Sequence, residues 1–276
     1  MPSTPTALVI RAAGTNCDAE MCRAFEMAGT SVRLIHLDAL IRDPSMLDTA
    51  DLVGFPGGFS FGDDIASGRI FAMKLRERVY PALREAVLRG TPMIGACNGF
   101  QVLVQVGLLP GPASGEQWPI DIAPPQTTAL TDNRDARFCD RWVGVIPQRE
   151  SVCVWTRGLA DLLPDDPAAR RDAMQLPVAH GEGRFVASPA TLDSLRKSGQ
   201  IALTYADNYN GSAQAIAGIC DATGLVFGLM PHPERYLTWD RHPYWTRLTP
   251  ALRSTPTPGL TMFKNAVESV AGVATR

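Results

Sequence analysis

Strand and helix patterns alternate through the first hundred residues, and this alternation limits the folds open to the chain more than any other feature. Short apolar runs with the length of buried strands occur at 7–11, 31–37, 51–55 and 92–96. Segments with helical periodicity occur at 19–28 and 70–89. Such alternation is typical of a parallel sheet with helices on both faces.

After about residue 108 the helical pattern lapses and prolines mark a loop. The string FCDRWVGVIP at 138–147 has the pattern of an antiparallel strand. Further short strands are predicted at 151–156, 174–179, 201–206, 213–219 and 225–230. A loop-rich stretch at 237–258 precedes a closing amphipathic helix at 260–270. Because no repeat or linker interrupts the pattern, we expect residues 1–276 to form a single domain, a mostly parallel, twisted open sheet with a small antiparallel extension.

The composition argues against several classes of function. The 276 residues carry a net charge of −2 and no run of Lys or Arg, which disfavours nucleic acid or an anionic membrane surface as a partner. No apolar stretch approaches the length of a transmembrane helix, and the first residues lack the basic start of a signal peptide, so we expect a cytoplasmic location. The six cysteines form no CxxC pair and no Cys/His set with zinc spacing, so no metal site is expected.

Cys97 stands at the joint between the strand predicted at 92–96 and a helix predicted at 98–107. The small residues Gly95 and Gly99 flank it, as a sharp strand-to-helix turn requires. This is the arrangement of a nucleophile elbow, with sulfur in place of a hydroxyl. The N–H groups at the start of the following helix would favour thiolate over thiol. The alternative interpretation is a small buried hydrophobic residue.

Two other loops follow strands of the same predicted sheet, AGTNCD after 7–11 and PGG at 56–58. Because the ends of parallel strands lie at one edge of a sheet, we expect both loops to converge on Cys97. A glycine backbone can approach a ligand closely, so the N–H groups of Gly58 and Asn98 could together hold an oxyanion. A simple tight turn is the alternative explanation for PGG.

A nucleophilic thiol needs a base and a group that orients the base. His232 follows the apolar run LVFGLM, just beyond a predicted strand. Glu234 lies two residues later, and in an extended backbone the two side chains would share a face, where the carboxylate could fix the imidazole tautomer. A surface histidine in an exposed turn is the alternative. His36, inside a strand pattern, is expected to be a core or surface residue, and His242, in the loop-rich stretch, a surface residue.

The strings GACNGFQ, PGGFSFGDD and MPHPER together resemble the motifs of class I (triad) glutamine amidotransferases. That family's order of nucleophile, histidine and glutamate is reproduced as Cys97, His232 and Glu234. Within it, GTNCD, FSFGDD, LTDN and AHGEGRF are similar to strings of the glutaminase subunits of phosphoribosylformylglycinamidine synthases, which serve purine biosynthesis. The resemblance covers roughly 7–234, with a weaker match at 259–270, and implies a flavodoxin-like fold. Residues 110–125 and 237–258 look like insertions.

The resemblance also implies roles for individual residues. Cys97 would attack the side-chain amide carbon of glutamine, with the resulting oxyanion held by Gly58 and Asn98. His232 would move the protons, and Glu234 would orient it. The resemblance implies that Gln101, Phe59 and Ser60 contact the substrate. It places His180 and Glu182 near the mouth of the site, where they could bind glutamine or meet the partner.

Ammonia becomes unreactive ammonium in water, so its transfer needs a sheltered route into a second active site. The resemblance therefore implies that the partner is a large synthetase subunit, joined by a small accessory subunit. The PGG loop lacks the GK[ST] ending of a phosphate-binding loop, so no cofactor is expected in this chain. ATP and magnesium are expected on the synthetase subunit.

Two other functions remain open at this point. A stand-alone cysteine hydrolase on a related flavodoxin-like sheet would share the elbow and would be fully active without a partner, on an ester or glyoxal-type substrate. The second open function is that of a regulatory module that keeps the fold only for binding. The presence of all three triad residues argues against it.

Overall fold

The computed structural model describes residues 4–162 and 166–271. Its strands are β1 (Thr6–Arg11), β2 (Ser31–His36), β3 (Leu52–Phe55), β4 (Met93–Ala96), β5 (Thr128–Asp132), β6 (Cys139–Pro147), β7 (Gln175–His180), β8 (Glu182–Ala187), β9 (Ile201–Tyr205), β10 (Ile216–Cys220) and β11 (Val226–Leu229). Its α-helices are α1 (Asp18–Ala28), α2 (Leu37–Arg42), α3 (Arg69–Arg78), α4 (Tyr80–Leu88), α5 (Asn98–Val106), α6 (Leu159–Leu162), α7 (Pro167–Ala173), α8 (Pro189–Lys197), α9 (Pro250–Arg253) and α10 (Pro258–Ala271).

A mixed sheet runs through the molecule in the order β2-β1-β3-β4-β11-β10-β9-β6-β7. The strands from β2 to β11 are parallel, and those from β10 to β7 continue the sheet as an antiparallel extension. Strands β5 and β8 form a separate antiparallel pair. The predicted class, an α/β sheet of flavodoxin-like type with an antiparallel extension, is confirmed.

Helices cover both faces of the parallel half, because its central strands are apolar on both sides. Every residue of β3, β4 and β11 is buried. On one face α1 and α10 pack together through Phe25 and Phe263, whose ring centroids are 5.1 Å apart. On the other face α3, α4 and α5 contribute the fully buried Phe71, Tyr80 and Phe100. The carboxyl ends of β1, β3, β4 and β11 therefore share one edge, which the helices leave open.

Proline explains why the helix predicted at 70–89 is two helices. Pro81 lacks an N–H and is tolerated only in the first turn of a helix. Helix α3 accordingly ends at Arg78, and α4 begins at Tyr80 with Pro81 in its first turn.

The strand predicted at 151–156 is wrong, since this segment is a loop. Trp155 of this loop is buried against Phe25 and Phe263, and its indole N–H donates to the carbonyl of Leu225 at 2.8 Å. The sequence pattern also missed β5 and β8, which form the separate pair, and the short helices α7 and α8. These elements are short and carry few apolar residues, so the periodicity signal is weak there.

Both segments that look like insertions are tied to the body of the protein. The guanidinium of Arg76 donates to the carbonyl of Val106, which precedes the first segment, at 2.9 Å and to that of Pro124, near the end of the segment, at 3.0 Å. Tyr80 donates from its hydroxyl to the carbonyl of Pro119 at 2.8 Å. In the second, His242 packs against Trp142 of β6 and bonds to the carbonyl of Asp172.

The surface position expected for His242 is wrong. The side chain is 1% exposed, and its ring packs against Trp142 and Tyr236 with centroids 5.8 and 5.7 Å away. Its Nε2 atom bonds to the carbonyl of Asp172. His36 ends β2, and its ring accepts from the backbone N–H of Asp38, so it caps α2. Within the described ranges, none of the helices has both the length and the apolar character needed to cross a bilayer.

Candidate active site

The turn predicted at Cys97 is present and sharp. Cys97 has φ 51° and ψ −108°, a conformation that L-residues rarely adopt. Two glycines make the turn possible. A Cβ atom on Gly99 would lie 1.9 Å from the carbonyl oxygen of Phe55, and one on Gly95 would lie 2.5 Å from the carbonyl oxygen of Gly99. The backbone N–H of Cys97 donates to Leu229 at 2.8 Å, which ties the turn to β11.

His232 and Glu234 form a buried pair next to this turn. The His232 Nδ1 and Glu234 Oε1 atoms are 2.7 Å apart, and the two residues are 2% and 1% exposed. The extended backbone expected between them is wrong, because Glu234 lies in a 3-10 turn, Pro233–Arg235. The contact forms nevertheless, with His232 held by a hydrogen bond from its N–H to the carbonyl of Pro177 at 2.8 Å.

The charge state of His232 follows from its neighbours. Burial opposes a charge on the ring, but the carboxylate of Glu234 and the sulfur of Cys97 outweigh it and hold the pKa of His232 well above its ordinary value. His232 is therefore suited to carry a positive charge beside the Cys97 sulfur. A positive group next to a cysteine is a general feature of cysteine nucleophiles.

The loops after β1 and β3 meet at the same place, as expected. Phe59 donates from its backbone to the carbonyl of Gly14 at 2.9 Å, and Cys17 to that of Gly57 at 3.2 Å. A Cβ atom at Gly57 would lie 2.6 Å from Cε1 of His232 and 3.3 Å from Cβ of Cys97. Only glycine allows so close an approach between this loop and the reactive pair.

The two N–H groups expected to form an oxyanion hole both belong to this edge. Gly58, at φ 140°, lies in the loop after β3, and Asn98 is the first residue of α5. Within residues 4–162 and 166–271, neither N–H donates to a backbone carbonyl. Each remains available to a ligand oxygen.

Of the other expected substrate contacts, Gln101 is the most constrained. It is 3% exposed, its amide oxygen accepts from Asn98 Nδ2 at 3.0 Å, and its amide nitrogen donates to the carbonyl of Glu182 at 2.5 Å. Asn98 Nδ2 also donates to Asp63 Oδ1 at 3.4 Å. These contacts join the start of α5 to Asp63 and Glu182, of which Asp63 was not expected in the site.

The remaining expected substrate contacts, Phe59, Ser60 and His180, differ in their exposure and in the groups they contact. Phe59 is 44% exposed and stacks on Phe138 with ring centroids 6.3 Å apart, whereas Ser60 is buried. His180 is buried and its Nε2 atom lies 2.7 Å from the hydroxyl oxygen of Tyr209. The adjacent carbonyl of Ala179 lies 3.6 Å from the Cys97 sulfur.

Cys17 and Arg235 belong to the site but were not expected there. Arg235 donates to the sulfur of Cys17 at 3.1 Å, and donor atoms of Cys17, His232 and Glu234 lie within 4.8 Å of one another, the one group of metal-binding type found in the described part of the chain. The geometry does not favour a cation, since Glu234 already bonds to the imidazole and the guanidinium contacts the thiol. The position of Cys17 in the loop after β1 was the available signal.

His180 makes the stability of the protein depend on pH. Burial, with a smaller contribution from positive His232, lowers the pKa of His180 to about 4. The unfolded chain binds this proton near pH 6.5, so native stability falls as pH decreases from about 6.5 toward 4. The free energy of unfolding can be measured by urea denaturation at pH 7.5 and at pH 4.5. We expect it to fall between these two pH values by about 2 to 3 kcal/mol more in wild type than in His180→Gln. Parallel losses in the two proteins would contradict this assignment, and the pH 7.5 values, where His180 is neutral, serve as the baseline.

The chain is similar in sequence to a family of glutamine amidotransferase domains and to individual members of known function. The model of one protein family, the CobB/CobQ-like glutamine amidotransferase domain, matches residues 4–270. A phosphoribosylformylglycinamidine synthase subunit PurQ of Dehalococcoides mccartyi is 37% identical over 268 residues, which cover 95% of this chain and 96% of the relative. The PurQ subunit from Treponema denticola is 39% identical over 248 residues, 83% of this chain and 87% of the relative.

Solved structures agree with these sequence relationships. A chain in the structure of PurLQS from Thermotoga maritima matches with a TM-score of 0.69 at 28% identity, covering 97% of this chain and 99% of that one. A putative GMP synthase subunit from Thermoplasma acidophilum matches with a TM-score of 0.57 at 14% identity, over 100% and 98% of the two chains. The second match supports the fold alone.

Proposed function

Because the chain belongs to the family of CobB/CobQ-like glutamine amidotransferase domains, we propose that it is the glutaminase subunit of a phosphoribosylformylglycinamidine synthase. It hydrolyses glutamine to glutamate and ammonia, and the ammonia is used by a synthetase subunit to amidate formylglycinamide ribonucleotide in purine biosynthesis. The observation that carries the proposal is Cys97 on a strained turn beside the buried His232–Glu234 pair. The match over residues 4–270 supports one amidotransferase domain over the whole chain.

The proposed mechanism begins with the Cys97 thiolate. Its sulfur forms a bond to the amide carbon of glutamine, and the carbonyl electrons move to oxygen, where the N–H groups of Gly58 and Asn98 stabilise the oxyanion. His232 then donates its proton to the departing nitrogen, so ammonia leaves and a γ-glutamyl thioester remains. The neutral imidazole next removes a proton from water, which attacks the thioester and releases glutamate and the thiolate. Glu234 holds the ring and stabilises its positive form.

A separate synthetase completes the proposed reaction. A homologous chain occurs in a structure described as PurLQS, which supports assembly with two further subunits, the large synthetase and the small accessory protein. ATP and magnesium act, in this proposal, on the synthetase. The six free thiols of this chain suit a reducing compartment, so the location we propose is the cytoplasm.

The test is to mix the purified chain with the candidate synthetase and accessory subunits and to measure glutamate release together with amidated product. We expect glutamate release to rise strongly on assembly and to match product formation, because docking completes and shelters the site. Full glutamate release by the free chain, unaffected by the partners, would instead support a stand-alone hydrolase.

A further inference from the structure

Arg235 directly follows Glu234, so the chain places a guanidinium next to the carboxylate that orients His232. An arginine and a carboxylate this close in the chain can form a charge-assisted, bidentate pair. Within the described residues the two side chains form no salt bridge with each other. The guanidinium points elsewhere: its Nη2 atom donates to Sγ of Cys17 at 3.1 Å, and its Nε atom lies 3.8 Å from Oε1 of Glu20.

The carboxylate of Glu234 nevertheless has an acceptor to offer. Its Oε1 atom bonds to the imidazole of His232, whereas its Oε2 atom is buried and has no hydrogen-bond partner in the described structure. Buried polar atoms are nearly always hydrogen-bonded, so this oxygen is an exception. A cavity of about 290 Å³ is lined by both Glu234 and Arg235, which gives the guanidinium space to reach that oxygen.

Cys17 is held in place as the acceptor for this guanidinium. The side chain is 1% exposed, and its thiol donates to Oδ1 of Asn16 at 3.2 Å while its sulfur accepts from Arg235. The Cys17 sulfur, a ring nitrogen of His232 and a carboxylate oxygen of Glu234 all lie within 4.8 Å of one another. The sulfur therefore keeps the guanidinium beside the His232–Glu234 pair without letting it join the pair.

We propose that Cys17 is a positioning residue that holds the Arg235 guanidinium away from Glu234, so that the carboxylate serves His232 alone. The inference rests on the proposed glutaminase function. A guanidinium on Oε2 would compete with the imidazole for the negative charge of the carboxylate. Cys17 does not touch the reacting atoms in this role and acts only through Arg235.

The titratable and charged groups around His232 come from four segments: Cys17 from the loop after β1, Cys97 from the turn before α5, His180 from β7, and Glu234 and Arg235 from the 3-10 turn. Burial lowers the pKa of His232, and the charge of Glu234 opposes this more than any other group does. His180 is neutral near pH 7, because burial lowers its pKa to about 4. Pairing of Arg235 with Glu234 would therefore lower the pKa of His232.

The test is a double-mutant cycle in the assembled synthase, with Cys17→Ala, Arg235→Met and their combination, read as kcat/KM for glutamine. In the presence of Arg235, we expect Cys17→Ala to lower kcat/KM about tenfold or more, because the released guanidinium pairs with Glu234. In the Arg235→Met background the same substitution should cost less than about twofold, since no cation is left to compete. The basic limb of the kcat/KM profile should shift toward acid in Cys17→Ala and not in the double variant.

Cys17→Ser retains a small acceptor for the guanidinium and should keep most of the activity and the wild-type basic limb. Cys22→Ala, at a cysteine of α1, is the matched control and should change neither. Synthesis from added ammonium checks assembly of every variant. If Arg235→Met does not assemble, the basic limb of Cys17→Ala against that of Cys17→Ser decides.

Equal costs of Cys17→Ala in the two backgrounds would overturn the inference in favour of a packing role for the thiol. Wild-type activity in Cys17→Ala, or a loss of activity with an unmoved basic limb, would overturn it as well. Failure of the proposed function looks different, because wild-type synthase would then release no glutamate from glutamine.

Discussion

Cys97→Ala is expected to abolish glutamine-dependent synthesis in the assembled complex while leaving synthesis from added ammonium intact. The substitution removes the only atom that forms the proposed thioester, and nucleophiles of this kind contribute on the order of 10⁵-fold or more to turnover. The synthetase chemistry, which takes place on another subunit, does not need the sulfur. The measurement is product formation by one complex with glutamine and then with ammonium as the nitrogen source.

The control for this experiment is Cys22→Ala, at a cysteine on α1 outside the site. It should retain synthesis from both nitrogen sources. If Cys97→Ala lost ammonium-supported synthesis in a properly assembled complex, the proposed division of labour between the subunits would be wrong.

His232→Ala and Glu234→Ala are expected to reduce glutaminase activity to different extents. Loss of the proton-transfer group in a triad lowers kcat on the order of 10⁵-fold or more, and loss of its orienting carboxylate on the order of 10⁴-fold. Glu234 bonds to Nδ1 of His232 at 2.7 Å and does not touch the reacting atoms, so its removal should be the milder change. The measurement is glutamate release by the assembled complex, with ammonium-supported synthesis as the check on assembly. Equal and complete losses would show that orientation of the imidazole is indispensable.

The pH profile of Glu234→Gln gives a sharper form of this prediction. Burial lowers the pKa of His232 and the Glu234 carboxylate raises it, with the net result well above the ordinary value. Removing the negative charge should therefore lower the pKa of His232, and the imidazolium will be lost at a lower pH than in wild type. The basic limb of the kcat/KM profile should shift toward acid. An unshifted basic limb would contradict the electrostatic role of Glu234.

The parts of the site predicted from sequence are those encoded locally. The turn at Cys97 was predictable because Gly95 and Gly99 are needed wherever a strand and a helix meet so tightly. His232 and Glu234 were predictable as neighbours because they are two residues apart, although their backbone forms a 3-10 turn rather than an extended segment. The convergence of loops was predictable because parallel strands place their carboxyl ends at one edge.

The parts that were missed depend on contacts between distant segments. The grouping of Asp63, Asn98 and Glu182 requires the loop after β3 to adopt unusual backbone conformations, with positive φ at Phe61, Asp63 and Ile65. No local pattern encodes those angles. The loop-rich stretch around His242 predicts a surface position, whereas Trp142 of β6 and Tyr236 pack against its ring and bury it.

The proposed mechanism can be tested by identifying the residue that carries the acyl group during turnover. The assembled synthase, quenched with acid while hydrolysing isotope-labelled glutamine, would be digested and its cysteine peptides examined by mass spectrometry. We expect a γ-glutamyl thioester on Cys97, and none on Cys17, the neighbouring thiol to which Arg235 donates a hydrogen bond. An adduct on Cys17, or continued glutamate release by Cys97→Ala, would contradict this mechanism.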